Sequence, residues 1–429
     1  MKKFSKAEWS WIFYDWAQGG FSIVIVTAIL PIYFKSVAHQ AGLANSTATA
    51  YWGYANSLST LLISLMAPLL GALADYRPNK KRMFVGFSVI GMLFTLLMNF
   101  TGTDQWFMLL VLYALGSIGY AGANIFYDGF LVDVAEPDRM DRVSSFGFGI
   151  GYIGMVIPFL IVMILQLTSG FGMLDSLGIV HVGFWLTAIW WVVFSIPFYR
   201  NVHQVHSLPP VKHQWRESWQ RVIKTIGTIW QNKPIMWFLV AYFFYIDGVD
   251  TIFKVATSFG VDLGLTTTQL MLMLLMVQLV AIPCTLGYSW LAHRFGTNRA
   301  ILLAISVYIV IAIYGLMMHS VTDFFILGFL VGTSQGGIQA LSRSYFAKLV
   351  PAEAANEYFG FYNIFGRFFR HLWPIVIRDC DPSFPQFTIG DSESGHPVHY
   401  WWWPVSAWDI QGQSVIKRAR THTGGCEHV

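Results

Sequence analysis

Apolar runs recur along the chain near residues 11–34, 51–74, 83–101, 106–132, 145–168, 179–199, 235–256, 268–292, 299–318 and 323–346, with an eleventh opening at about 357. A helix rises about 1.5 Å per residue, and a hydrocarbon core takes roughly 20 helical residues to cross, so each run is long enough to span. Runs of this length parted by short polar turns predict an all-α membrane protein of about eleven spans. After the sixth run the pattern breaks. The stretch from Arg200 to Lys233 is polar, with His203, His206, Pro209, Pro210 and His213 leading into the amphipathic WRESWQRVIK (Trp215 to Lys224). That stretch predicts a linker whose helix lies along the membrane surface. The expected organisation is a first six-helix half over 1–199, a linker over 200–234, an incomplete second half over 235–369, and a tail of different character over 370–429.

Composition agrees with the pattern: hydrophobic residues make up 55% and charged residues 12%, against about a quarter charged in soluble domains. The net charge of +4 does not point to nucleic acid, because the basic residues fall in alternate loops. Lys2, Lys3 and Lys6 precede the first span, and Arg77, Lys80, Lys81 and Arg82 follow the second. Arg139 and Arg142 follow the fourth, and Arg294, Arg299, Arg343 and Lys348 continue the series, while the opposite loops carry Lys35 alone. The positive-inside rule therefore predicts a cytoplasmic N-terminus. The first apolar run exceeds a signal-peptide core of roughly 7–15 residues and no A-x-A-like site follows it. Cys284, Cys380 and Cys426 have no metal-ligand spacing, so no metal or cofactor is expected.

The two halves repeat one another. GALADYRPNKKR (Gly71 to Arg82) is echoed by LAHRFGTNR (Leu291 to Arg299), and GANIFYDGFLVDVAEP (Gly122 to Pro137) by GIQALSRSYFAKLVP (Gly337 to Pro351). FYDWAQGGF (Phe13 to Phe21) aligns more weakly with YIDGVDTIF (Tyr245 to Phe253), placing Asp15 over Asp247. Parallel repeats around an axis along the membrane normal, with a substrate site between the halves, are a transporter architecture.

The duplicated basic loop resembles the signature loop of the major facilitator superfamily. FYDWA (Phe13 to Ala17), FYIDGVDTIFK (Phe244 to Lys254), GGIQALSRS (Gly336 to Ser344) and NEYFGFYNIFG (Asn356 to Gly366) resemble its branch related to the fungal vacuolar amino-acid effluxer of autophagy, over roughly residues 9 to 369. The resemblance implies a twelve-helix permease, monomeric, in a bacterial inner membrane, moving a small solute such as an amino acid with a coupling proton or cation. It also implies that Asp75 caps a helix of the other half and stabilises the outward-facing state, with Arg77 beside it. In the second copy of the loop His293 stands where the Asp would be.

After Phe369 the chain departs from that pattern, and no twelfth span follows. Arg370 to Asp381 can be encoded so that a reading one base later gives Ala-Ile-Phe-Gly-Pro-Leu-Leu-Phe-Ala-Ile-Val, an apolar helix. The expectation is a frameshift near codons 367–370, which would leave a truncated, non-transporting remnant if it is genuine.

Asp247, Asp250 and Lys254 fall on one face of the seventh span, and each charge costs about 2.5–3.5 kcal/mol at membrane depth unless it meets a cavity or a partner. Asp247 is the first candidate for a coupling proton or a substrate amino group. For Asp250 and Lys254 an internal ion pair that makes the helix insertable is an equal alternative. Asp15 is a cavity candidate through its repeat relation to Asp247, or else an interfacial cap. Arg343 stands approximately where Asp128 does in the first repeat, which suggests a gate pairing Asp128 with Arg343 across the halves, against pairing of Asp128 and Asp133 with nearby loop bases. Gln339 is a further candidate for substrate contact; Gln335 and Asn363 suit interhelical hydrogen bonds, and Gly19, Gly20, Gly147, Gly149, Gly151, Gly154, Gly336 and Gly337 suit close helix approach. A membrane-embedded enzyme is the weaker reading, since there is no Walker loop and no Ser/His or metal constellation.

Overall fold

The computed structural model describes residues 3–262 and 265–368. The first half has six long helices, α1 Lys6–Gln40, α2 Asn45–Ala74, α3 Asn79–Phe100, α4 Trp106–Val134, α5 Met140–Leu167 and α6 Ser176–Asn201. The linker helix α7 runs Gln214–Gln231. The second half has α8 Lys233–Asp262, α9 Thr267–Phe295, α10 Thr297–Leu316, α11 Val321–Leu349 and α12 Ala355–Asn363, which continues as a π-helical turn over Ile364–Phe368. Among the described residues, nine of these helices are long and apolar enough to cross a membrane. The 30-residue α8 stands in the place of the seventh predicted span, and α12 opens the eleventh. The all-α, two-half membrane architecture expected from the sequence is therefore the one observed.

Local chemistry sets the helix ends and bends. Ser5 and Glu8 form a reciprocal capping box at the start of α1, with Ser5 Oγ accepting from Glu8 N at 3.1 Å and Glu8 Oε2 from Ser5 N at 2.6 Å. Within α1 the turns widen into π-helix over Phe21–Ile29, just before Pro31, which lacks an amide proton and crowds the carbonyl one turn back.

The halves meet along α5 with α9 and α11, and along α12 with α2 and α4. Small residues allow the approach: a Cβ at Gly149 would reach Leu286 at 3.1 Å, and one at Gly71 or Gly360 would land on the facing backbone of Asn356 or Ala67. The basic turns meet at one end of the bundle, called here the basic face: Arg139 donates to Lys3 O at 3.1 Å, and Lys348 and Thr297 both reach Asp141. There the linker is pinned to the α2–α3 turn: Leu208 N donates to Asp75 O at 2.9 Å and Gln204 Nε2 to Ala74 O at 3.1 Å.

Candidate functional site

Arg343, on α11, reaches out of the second half into the first. Its guanidinium donates to Asp128 Oδ1 at 3.2 Å, Asp15 Oδ2 at 3.4 Å, Ser144 Oγ at 2.9 Å and the Ser144 carbonyl at 3.2 Å. Three rings enclose it, with centroids 4.6 Å away for Trp11, 4.4 Å for Phe148 and 5.3 Å for Tyr127. The side chain is only 4% exposed. Burying a charge costs several kcal/mol, and the two carboxylates, the further hydrogen bonds and the ring faces offset that cost. Trp11 and Tyr127 hold each other: Trp11 Nε1 donates to Tyr127 O at 2.9 Å, the Tyr127 hydroxyl to Trp11 O at 3.2 Å, and the rings stack at 4.5 Å. Gln18 Nε2 donates to Asp15 Oδ1 at 3.0 Å and fixes that carboxylate.

A second cross-half contact forms at Asp75, just past the end of α2. Asn356 N and Nδ2 donate to its Oδ1 at 3.0 and 2.9 Å, and Glu357 N to its Oδ2 at 3.2 Å, so the carboxylate caps the amide end of α12. Arg221 of the linker helix donates to Asp75 Oδ2 at 3.4 Å and also to Glu357 Oε2, tying α7 to the same point. Burial pushes the Asp75 carboxyl up to about 7, although Lys80, the Asn356 hydrogen bond and Arg221 pull it down; Glu357 adds a further upward push.

A third contact centres on Asp141 of α5. Its carboxylate accepts from Ser344 Oγ at 2.7 Å, Lys348 Nζ at 2.6 Å and Thr297 Oγ1 at 2.6 Å, all from the second half. Within the first half, Lys80 pairs with Asp133 at 2.7 Å, and Asp133 Oδ1 also accepts from the linker amides of Val205 and His206 at 2.9 and 2.7 Å. Lys80, counted in the sequence among the loop bases, is 1% exposed.

The structure thus joins three sequence candidates, Asp15, Asp128 and Arg343, and places Asp75 in a separate contact on the same seam. Arg77 and His293 are exposed and take no part in the contacts described here. Asp247 is half-buried on α8 and makes no ion pair among the described residues. The side chains of Asp250 and Lys254 lie outside the described residues, as does everything beyond 368, including the apolar reading of the tail. Gln339 is half-buried one turn before Arg343, and the side-chain carbonyl of Gln335 is buried without a partner among the described residues. Asp141, Lys348, Ser344, Glu357 and Arg221 were not singled out from the sequence. A basic residue in a loop reads as topology, and its partner lies far along the chain.

Residues 43–377 match the family model described as "Vacuole effluxer Atg22 like". The chain is 44% identical to an uncharacterized MFS-type transporter, YxiO, of Bacillus subtilis, over 88% of this chain and 89% of that one. It is 23% identical to autophagy-related protein 22 of Coccidioides immitis, over 80% of this chain and 69% of that protein. Among solved structures it is similar to the proton:xylose symporter XylE of the major facilitator superfamily, with a TM-score of 0.65, 13% identity and 88% of each chain covered. A bacterial homologue of the iron transporter ferroportin, in an outward-facing state, gives a TM-score of 0.60 at 14% identity, covering 89% of this chain and 93% of that one. Two packed halves of membrane-spanning helices, a buried carboxylate capping a helix of the opposite half, and the family match over most of its length make this chain a member of the vacuole effluxer Atg22-like family, with the major facilitator fold.

Proposed function

We propose that the protein is a secondary active transporter that moves a small solute by alternating access, with amino acids as the first solute class to test and a proton or cation as the coupling ion. The observation that supports this most strongly is the nature of the seam: at the basic face the halves hold together through the Arg343, Asp75 and Asp141 contacts. Polar contacts of this kind can part and re-form against water, which a continuous apolar interface cannot do at comparable cost. Asp75, Asp128 and Arg343 are assigned to gating, with Arg77 and His293, which lie exposed outside the three contacts, as gating candidates on the repeated loop alone. Asp247 takes the coupling proton or a substrate amino group, supported by Asp15, Gln339, Asp250 and Lys254. The basic face lies in the cytoplasm of a bacterial cell, with the protein a monomer in the inner membrane.

Reconstitution into proteoliposomes tests this reading. Uptake of a radiolabelled amino-acid mixture under an imposed proton gradient should exceed that of empty vesicles and be lost in Asp247→Asn; unchanged pH-dependent flux in that variant would remove Asp247 from the mechanism. That Arg370 to Asp381 can be encoded so that a reading one base later is apolar supports a second reading, a truncated product of a frameshifted gene. Resequencing the genomic DNA across codons 360–429 decides it: one base gained or lost restores a twelve-helix permease, and a confirmed base makes the chain a remnant.

A further inference from the structure

The residues around Arg343 divide unequally between the halves. Trp11 and Asp15 come from α1, Tyr127 and Asp128 from α4, and Ser144 and Phe148 from α5. All six belong to the first half, and the second half supplies the cation. We propose that these residues form a cation seat of the first half that takes a compact organic cation, an alkylammonium or guanidinium group, whenever the halves part at the basic face, and that Arg343 is the seat's tethered competitor.

The seat is built without help from Arg343. Trp11 and Tyr127 fix each other through two hydrogen bonds and a stacked pair of rings, and Gln18 holds Asp15. Its volume is kept open by glycine. A Cβ at Gly147 would stand 2.9 Å from Asp15 Oδ2, 3.0 Å from the Trp11 ring and 3.3 Å from the guanidinium, and one at Gly151 would stand 2.9 Å from Asp15 Cβ. When Arg343 withdraws, Asp15 and Asp128 lose the guanidinium they share beside three ring faces, a loss that another cation entering the seat would offset.

The walls select the kind of cation. Ring centroids at 4.4, 4.6 and 5.3 Å lie within the roughly 6 Å over which a cation is attracted to an aromatic face. A weakly hydrated organic cation gains from those faces, whereas a sodium ion would gain only from the carboxylate oxygens and lose its water. A ligand that binds the seat only when Arg343 is absent shifts the population toward the state parted at this face. The inference rests on the transporter reading only in assuming that the halves do part there.

The test uses the full chain in nanodiscs and methylguanidinium and methylammonium as probes, with sodium chloride at matched ionic strength as the control. Thermal unfolding is followed against probe concentration. Arg343→Gln, which empties the seat, should show a saturable rise in midpoint with both probes and none with sodium. Adding Asp15→Asn and Asp128→Asn should weaken the apparent affinity by more than about tenfold, the scale of one charge-assisted hydrogen bond. Arg343→Lys keeps a tethered ammonium, so it should bind methylguanidinium more weakly than Arg343→Gln and more tightly than the unaltered protein. This variant also carries the test if Arg343→Gln does not fold. Equal stabilisation by sodium, equal binding in the triple variant, or no methylguanidinium effect in Arg343→Lys overturns the proposal. Cation binding without solute flux would count against the transporter reading and leave the seat standing; flux without cation binding would do the reverse.

Discussion

Removing the Asp75 carboxylate should part the halves at the basic face. Below about pH 6, where burial keeps the Asp75 carboxyl protonated in the closed seam, Asp75→Ala deletes the acceptor of three N–H groups on Asn356 and Glu357 and of Arg221. Hydrogen bonds to a neutral carboxyl are worth about 0.5–1.5 kcal/mol each. Water reaches the amide end of α12 once the halves part and recovers much of that, so the net loss to the closed seam is about 2–3 kcal/mol, or roughly a 30- to 150-fold shift toward the parted state. Spin labels at the exposed positions Asp138 and Asn298, with Cys284, Cys380 and Cys426 replaced by Ser, report the separation by pulsed electron resonance. A folded Asp75→Ala protein whose distance distribution superimposes on that of the parent would refute the reasoning. The pH dependence has a defined sign. The closed seam holds the Asp75 proton up to about 7, against an ordinary value of 3.8, because burial outweighs Lys80, Arg221 and the Asn356 hydrogen bond, with Glu357 adding to it. This contribution to closure is therefore complete below the ordinary carboxylate value and is lost as pH rises through 7. The parent should open progressively between about pH 4 and 7, and Asp75→Asn, which cannot titrate, should respond less.

Three further outcomes follow. Arg343→Asp and Asp128→Arg should each open the seam in the spin-label assay, and the double swap should restore part of the closed population; no rescue would dissolve the pair. Gly71→Val should block closure, because its side chain would occupy the place of the Asn356 carbonyl, and a parent-like distance distribution would contradict the close approach of α2 and α12. Lys80→Met removes the nearest cation from the fully buried Asp133 carboxylate, which keeps the linker amides and His206 Nδ1 at 3.3 Å. It should cost about 3–5 kcal/mol of stability, read as a lower unfolding midpoint in detergent; an unchanged midpoint would mean that water already reaches Asp133.

Much of this architecture was legible in the sequence because the bilayer imposes a simple rule on helix length. The run at 145–168 became Met140–Leu167 and that at 323–346 became Val321–Leu349. The shortfall is consistently at polar ends such as Met140 to Ser144, which continue the helix past the apolar stretch. The repeat also exposed the Asp128–Arg343 pair, since opposite charges at equivalent positions of two halves can meet across their axis. What it hid was how many groups converge there. Asp15 was matched to Asp247 by the repeat, yet its carboxylate faces Arg343. Lys348 read as one more loop base, and folding brings it with Thr297 to Asp141. The linker helix was visible over Trp215 to Lys224 and extends to Gln231. Its Arg221 contact to Asp75 and Glu357 depends on where the amphipathic face docks, which periodicity alone does not specify.

Solute flux measures the central claim most directly. The full chain, reconstituted into proteoliposomes with an imposed proton gradient of either polarity, should accumulate at least one member of a radiolabelled amino-acid panel above empty vesicles, with accumulation collapsing when an ionophore dissipates the gradient. Vesicles containing folded protein that match empty vesicles for every solute, under both polarities, would contradict the account of this chain as a working transporter.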